Sequence, residues 1–403
     1  MRQNIFLYRI TQIISFVFSK IVFKRKIIRN EIKDKKGPFV VIANHQAAYD
    51  FVNLISVTKR PMNFVISNSF YNSLPIKGIM DRLGLIPKQQ FQTTAKDMKK
   101  MKSVIDSGNS LVIYPAGLMC EDGLSTPIPS ATYKFLKWLN VDVYVARTYG
   151  TYFAMPKWSK GFRPGKTYMD IYKLFSKEEL ENLDLDLVKS KTEDALLFDA
   201  YKEQEKYLVK YKNNYNIEGL KNVLYVCPHC KKEFSIDVKN ENNIYCKECG
   251  FEQVSDEYGF LHNEKGVGQE IRYVSTWSKF IYNNLKSKIL KGEIDNLSSK
   301  TEIFMIDYNK HKFVSVGNGI VSLSEKGFSL EGEINGERAD MNISIKNFAS
   351  LPFSPGKYFE IQQGENIYRC ALDDGKLVMK FINMIKIFYE LNSETSKKVN
   401  KWY

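Results

Sequence analysis

Two groups of residues in this chain have the types and spacing to do chemistry. The first is Asn44-His45-Gln46-Ala47-Ala48-Tyr49-Asp50. Histidine is scarce, with four in 403 residues, and imidazole is the side chain whose ordinary titration falls nearest neutral pH. Five residues along a continuous helix turn about 140°, which would part His45 from Asp50. With His45 on a loop and Asp50 in the first helical turn, the chain folds back. Asp50 can then hold one ring nitrogen and leave the other as a base. The same spacing also fits a structural histidine beside a helix-capping aspartate.

The second group is Cys227-Pro228-His229-Cys230 and Cys246-Lys247-Glu248-Cys249, fifteen residues apart. Two C-x2-C knuckles at that spacing offer four thiolates to one tetrahedral zinc and resemble a zinc ribbon. A closed four-sulfur shell has no open position, so the zinc is expected to be structural, and His229 is not needed as a ligand. Ribbons often bind nucleic acid, but here Lys231, Lys232, Lys239 and Lys247 face seven acids between residues 227 and 258. A nucleic-acid surface should be basic, so a structural or protein-docking role is expected. Two other motifs carry less. Gly161-Phe162-Arg163-Pro164-Gly165-Lys166-Thr167 is one residue short of a phosphate-binding loop and holds a proline where N–H groups should point inward. Cys120 has no assigned base, and the chain has no G-x-S-x-G elbow, so a covalent route is not expected.

The elements that must position His45 and Asp50 are legible from periodicity. Phe39–Ala43, Phe64–Ile66, Leu111–Tyr114, Val141–Val145 and Thr167–Tyr172 read as strands, and 49–58, 94–107 and 129–139 as helices. That alternation predicts an α/β domain over 37–220, with 176–218 as an outer helical extension. Residues 221–260 hold the ribbon and 261–300 a helical linker. Residues 301–403 read as seven short strands and a last helix, Gly375–Leu391, with hairpin turns at Asn318-Gly319 and Asn335-Gly336. This resembles a pleckstrin-homology-like β-barrel by pattern alone.

The blocks around His45 resemble the lysophospholipid acyltransferase superfamily, whose best-known members make phosphatidic acid from 1-acylglycerol 3-phosphate. Asn44-His45-x4-Asp50 fits its N-H-x4-D block, and Gly84-Leu85-Ile86-Pro87 fits the start of its second. Tyr114-Pro115-Ala116-Gly117, followed by Asp122-Gly123, stands in its third. Val143-Tyr144-Val145, Arg147, Gly150 and Pro156 stand in its fourth. The resemblance implies acyl transfer from a thioester or acyl phosphate to a hydroxyl, with His45 as base and Asp50 orienting it. It also implies substrate contacts around Asn44, Gly84, Lys88, Tyr114, Pro115, Gly117 and Arg147. Two departures stand out: the third-block glutamate is Ala116, and the second-block arginine falls at Gln90, with Lys88 the nearby cation. The acceptor's anionic head is therefore expected to meet Arg147 and Lys88 instead.

Composition sets the setting. The chain is 44% hydrophobic and 26% charged, which excludes a wholly disordered or collagen-like protein. Its net charge is +14, and residues 1–36 contribute ten Lys/Arg against two acids. At 100° per residue, Arg2, Arg9, Gln12 and Lys20 form one stripe of a helix over 3–23, opposite Leu7, Ile14, Phe18 and Ile21. Such a helix suits an anionic membrane interface, the alternative being a helix packed on its own domain. No apolar stretch reaches the roughly 18 residues of a spanning helix. The expected setting is peripheral, on the cytoplasmic face of the cell membrane, with an acyl carrier protein, coenzyme A thioester or acyl phosphate as donor and a lyso-lipid as acceptor. A lipid- or protein-binding scaffold without activity, and a nucleic-acid-binding zinc protein, are the rival readings.

Overall fold

The computed structural model describes residues 3–90, 94–211, 216–364 and 366–392. The first domain is built on a seven-stranded sheet of β1 (Lys26–Asn30), β2 (Val40–Ala43), β3 (Met62–Ser67), β4 (Ile86–Lys88), β5 (Ser110–Ile113), β6 (Val143–Tyr149) and β7 (Tyr168–Phe175). Their order is β1-β7-β6-β2-β5-β3-β4. All pairs are parallel except β6 with β7. The run Val40-Val41-Ile42-Ala43 is buried throughout because β2 lies at the centre with both faces covered. Short β1 and β4 escape sequence patterning: β1 is Lys-Ile-Ile-Arg-Asn, largely exposed, and β4 has three residues.

Helices flank this sheet: α1 (Ile5–Ile21), α2 (Asp50–Ile55), α3 (Asn68–Asn72), α4 (Lys77–Leu83), α5 (Ala95–Asp106), α6 (Ala131–Leu139), α7 (Thr151–Ala154), α8 (Lys177–Asn182), α9 (Leu185–Leu196) and α10 (Ala200–Tyr207). Helix α1 turns most of its apolar residues outward and departs from the expected polar stripe at Gln12. Its buried residues are Tyr8, Gln12, Ser15 and Ser19. Gln12 Nε2 donates to the Ile55 and Thr58 carbonyls at 3.1 and 2.8 Å, and Tyr8 Oη accepts from the Met62 N–H at 3.0 Å. Gln12 thus leaves the polar stripe, because the end of α2 has carbonyls to satisfy. Arg9 and Lys20 stay exposed, while Arg2 lies outside the described residues. Phe6, Ile10, Ile13, Ile14, Val17 and Ile21 face outward, with Phe6 76% and Ile21 67% exposed.

The remaining chain adds two sheets and two helices. The ribbon sheet consists of β8 (Ile236–Lys239), β9 (Asn243–Cys246), β10 (Glu252–Ser255) and β11 (Leu261–His262), in the order β11-β10-β9-β8. Helix α11 (Val274–Leu290) leads to β12 (Asn296–Asp307), β13 (Lys312–Ser324), β14 (Gly327–Ile334), β15 (Glu337–Ser344), β16 (Phe353–Ser354), β17 (Tyr358–Gln363) and β18 (Asn366–Leu372). These form one antiparallel sheet ordered β15-β14-β13-β12-β18-β17-β16, closed by α12 (Leu377–Asn392). Asn335-Gly336 is the expected hairpin turn, with φ of 54° and 83°. Asn318-Gly319 is not a turn. It sits inside β13, paired with Glu333 and Gly332. Its glycine answers a close backbone approach, since a Cβ on Gly319 would stand 2.6 Å from the Glu331 carbonyl oxygen.

The cores do not divide at residues 220, 260 and 300. One continuous cluster runs from Phe23, Cys120 and Tyr152 through Cys227, Phe251 and Trp277 to Phe359 and Ile385. Helix α12 is its hub. The sequence pattern gives it one apolar face through Phe381, Ile385 and Phe388, yet Met379, Met384 and Ile387 are buried as well. A helix buried nearly all round must have partners on every side.

Candidate active site

The chemistry gathers at the C-terminal end of β2, where ligands of parallel α/β sheets are usually met. Asn44 anchors the loop that follows. Its side chain exchanges two 2.8 Å hydrogen bonds with the Thr148 main chain on the neighbouring β6. Next comes His45, whose Nδ1 lies 3.1 Å from Asp50 Oδ2. Asp50 opens α2 but does not cap it. Its Oδ2 reaches back to accept the Gln46 and Ala47 N–H groups at 2.7 and 2.8 Å, and the residue is fully buried. The capping alternative therefore fails on geometry: the aspartate serves the histidine and its loop. The His45 side chain keeps 20% exposure, so Nε2 is the nitrogen left for a substrate.

His45 opens on a cavity of about 1120 Å³. Tyr114 lies against it, with ring centroids 4.6 Å apart, and Tyr114, Pro115, Ala116 and Gly117 line the same wall. Burial, with the Asp50 charge adding to it, holds the Tyr114 hydroxyl well above its ordinary pKa. Lys88 and Gln90 also line the cavity. Gln90 Nε2 donates to the Gly117 carbonyl, tying the second block to the third. Lys88 Nζ donates to the Gln89 carbonyl at 2.8 Å, and burial lowers its pKa. Apolar side chains such as Phe64, Ile66, Met98, Met101, Ile113 and Phe135 complete a slot suited to an acyl chain.

Two expected site residues stand elsewhere. Gly84 closes α4 at φ 77° and receives the Asn63 amide on its carbonyl at 2.8 Å, so its work is in the turn. Arg147 does not line the cavity. Alternation along β6 puts it on the face of Val143 and Val145, the face packed by Leu196 of α9. There its guanidinium donates to the Leu197 carbonyl at 2.9 Å and pairs with Glu203 at 3.4 Å. Burial pushes Glu203 up to about 8, although Arg147 pulls the other way. Gln46, which the sequence did not single out, joins this pair to the site. Its Nε2 meets Glu203 at 3.4 Å, while its Oε1 accepts from the Thr151 hydroxyl and the Tyr152 N–H, both at 3.2 Å.

A second charged group lies behind the same wall. The Cys120 N–H donates to the His45 carbonyl at 3.2 Å, which fixes residues 119–122 beside the His45 loop. Burial pushes the Cys120 thiol well above its usual range, which suits a packed side chain rather than a nucleophile. Beyond it, Glu121 pairs with Lys386 of α12 at 2.6 Å, with side-chain exposures of 8% and 9%. No sequence spacing links residues 265 positions apart.

The four ribbon cysteines come together as expected. Their sulfurs lie within 4.8 Å of one another, with Cys227–Cys249 and Cys230–Cys246 each at 3.7 Å. A disulfide needs about 2.05 Å, whereas a tetrahedron with metal–sulfur bonds near 2.3 Å has edges of about 3.8 Å. The donor set therefore fits one tetrahedral metal with no open position. Trp277 of α11 holds the knuckle from behind, donating to the Val226 carbonyl at 2.8 Å and packing edge-on against Phe251.

Comparison with known proteins agrees with the block order. Residues 24–153 match the sequence model of the Acyltransferase family. Among solved structures, the crystal structure of the 1-acyl-sn-glycerophosphate (LPA) acyltransferase PlsC from Thermotoga maritima is 16% identical, covering 51% of this chain and 81% of that one with a TM-score of 0.42. The Ran binding domain of Nup2 from Ashbya gossypii is 14% identical over 23% of this chain and 99% of that one, with a TM-score of 0.18. The PH domain of human oxysterol binding protein-related protein 11 is 12% identical over 27% and 91%, also at 0.18. No curated protein matches. The segment from residue 24 to residue 153, which carries His45, Asp50 and Tyr114, is thus the part of the chain that matches the Acyltransferase family model.

Proposed function

We propose that this chain transfers a fatty acyl group from a thioester or acyl phosphate to the hydroxyl of a lysophospholipid-type acceptor at a membrane surface. The observation that carries the reading is the His45–Asp50 pair at 3.1 Å, opening on a large, mostly apolar cavity inside an acyltransferase-family domain. The acceptor oxygen attacks the acyl carbonyl while His45 Nε2 takes its proton. The tetrahedral adduct collapses, and the thiolate or phosphate leaves with that proton. Asp50, held by two loop N–H groups, keeps the ring oriented and stabilises the imidazolium. Lys88 is the cation of the motif region that faces the cavity, and it is the candidate for an anionic head. Arg147 is replaced in that role because it is spent on Glu203 and the Leu197 carbonyl.

Membrane docking is proposed for α1. Its outward face carries Phe6, Ile10, Ile13, Ile14, Val17 and Ile21, with Arg9 and Lys20 exposed beside them. None of the described helices is long and apolar enough to cross a membrane. The four cysteines are proposed to hold zinc in a structural role. Seven strands and a closing helix support reading residues 296–392 as pleckstrin-homology-like. The decisive experiment is an acyl-transfer screen of the purified full chain against lyso-lipids and the three donor classes, run beside His45→Ala. Transfer that depends on His45 is the expected result. A binding scaffold on this fold would show lyso-lipid binding and no transfer in either protein.

A further inference from the structure

The C-terminal sheet and α12 do more than pack on the first domain, because their residues form part of the cavity wall into which His45 opens. Phe348, Phe353, Tyr358, Arg369 and Lys386 line it together with His45 and Tyr114. Ser69 meets Glu360 at 3.2 Å and Gln89 meets the Gly364 carbonyl at 2.8 Å, so the two parts are stitched at the rim. Among the lysines that line the cavity are Lys157 from the first domain and, from the C-terminal part, Lys386 of α12 and Lys346. The carboxylate that answers Lys157 and Lys386, Glu121, does not line it. Glu121 binds Lys386 at 2.6 Å. Among the described residues no carboxylate comes within 4.0 Å of Lys157, whose ammonium has a long 3.5 Å contact to the Met119 carbonyl and sits over the Phe353 ring at 3.2 Å. Isolated cations in such surroundings are costly unless an anion arrives.

We propose that Lys157 and Lys386 form a phosphate-binding subsite at the domain seam, so that the C-terminal domain is part of the active site and selects phosphate-bearing substrates. This rests on the acyl-transfer reading only for the identity of those substrates. The placement of the site supports it. Lys157 contacts Met119, and the N–H of the next residue, Cys120, binds the His45 carbonyl, so the subsite adjoins the catalytic loop. A phosphate held there brings the rest of its molecule to His45. Burial lowers the Lys157 pKa to about 8, with Glu121 opposing and Lys386 adding to the shift. Burial and the Glu121 charge raise neighbouring Asp122 to about 6. Burial also pushes Glu121 up, but Lys386 and Lys157 together outweigh it and hold that carboxyl low. The cluster thus favours a second anion beside Lys157.

The phosphate can belong to the acceptor or to the donor, and matched ligand pairs separate them. Affinities of the full chain would be measured for short-chain 1-acylglycerol 3-phosphate against 1-acylglycerol, 4′-phosphopantetheine against pantetheine, and octyl phosphate against octanol. Lys157→Met is expected to weaken the phosphorylated member of at least one pair tenfold or more and its partner less than twofold. The pair that responds names the source. Equal loss on both members, or loss on neither, in all three pairs overturns the proposal. A second measurement needs no variant. Wild-type affinity for the phosphorylated member should fall between pH 7 and 9.5 as Lys157 loses its proton among Glu121, Asp122, Cys120 and Lys386, while affinity for the neutral member stays level. A flat profile for both also overturns it. The same selectivity should persist in His45→Ala. Selective binding without transfer in wild type would sink the acyl-transfer reading and leave the subsite standing, and transfer without selectivity would do the reverse.

Discussion

At His45 the chemistry depends on which ring nitrogen is left over. Asp50 takes Nδ1 at 3.1 Å through Oδ2, the same oxygen that accepts two loop amides, so Nε2 is the ring nitrogen left over. Replacing His45 by Ala should lower turnover by about 10²–10⁴-fold. Asp50→Asn should come close to the same loss, because an amide nitrogen can replace the accepting oxygen and repel the loop N–H groups. Circular dichroism should show both variants folded, and steady-state kinetics would measure the loss. An unchanged rate in folded His45→Ala would remove it as the base. Glu203 gives a pH prediction. Its folded pKa, about 8, lies above the unfolded value near 4.5. The folded state therefore keeps a proton that the unfolded chain has released, and the stability this contributes is present below about pH 4.5 and lost as pH rises to about 8. Urea midpoints should show wild type losing roughly 2–4 kcal/mol more than Glu203→Gln between pH 5 and 8. Parallel slopes for the two proteins would contradict this.

At the scale of elements, α1 carries the clearest test. Burying an exposed Ile in a bilayer interface contributes up to about 1.5–3 kcal/mol. Ile13 and Ile14 are 64% and 63% exposed. Their joint replacement by Ser should cut vesicle partitioning at least tenfold in sedimentation assays while leaving the melting temperature nearly unchanged. Gln12→Ala should behave in the opposite sense, destabilising the fold because the Ile55 and Thr58 carbonyls lose their donor. The same contrast marks what a sequence can reveal. Apolar periodicity found α1, α5, α6 and the buried strands β2, β3 and β5, and motif spacing found His45, Asp50 and the four cysteines. It placed Gln12 on the polar stripe of α1, because a glutamine that satisfies carbonyls on another element looks like a solvent residue in a one-dimensional pattern. It read Asn318-Gly319 as a turn because glycine serves close backbone approach and reversal alike. It had no means of pairing Glu121 with Lys386, or of turning Arg147 away from the cavity, since both follow from tertiary packing. In the ribbon, Cys246→Ser should abolish bound zinc in elemental analysis and raise hydrogen exchange over 225–255, metal binding and folding being coupled there. Zinc retained at one per chain in that variant would refute the four-sulfur site.

Across the whole molecule, α12 joins every part. Lys386 pairs with Glu121 of the first domain, Lys380 with Glu233 of the ribbon at 2.7 Å, and Glu390 with Lys286 of α11 at 2.9 Å. Removing one partner from a buried pair leaves the other charge stranded, which costs about 3–5 kcal/mol. Lys386→Met should therefore destabilise the full chain by that amount, and adding Glu121→Gln should recover most of it. Chemical denaturation of the two single variants and the double variant reads the coupling directly, and additive effects would show that the pair is not coupled. The pairing of β1 with β7 has a consequence for synthesis. Arg29 grips Asp170, which stands 141 positions further along the chain, and at about 5–20 residues per second a ribosome needs roughly ten to thirty seconds to deliver the second strand after the first. For most of that interval α1, with its row of outward isoleucines, has left the ribosome while the sheet that will hold its base is unfinished. A nascent chain of this kind exposes that row before its own core is complete, so on the proposed docking of α1 a lipid surface is a partner already available to it during translation.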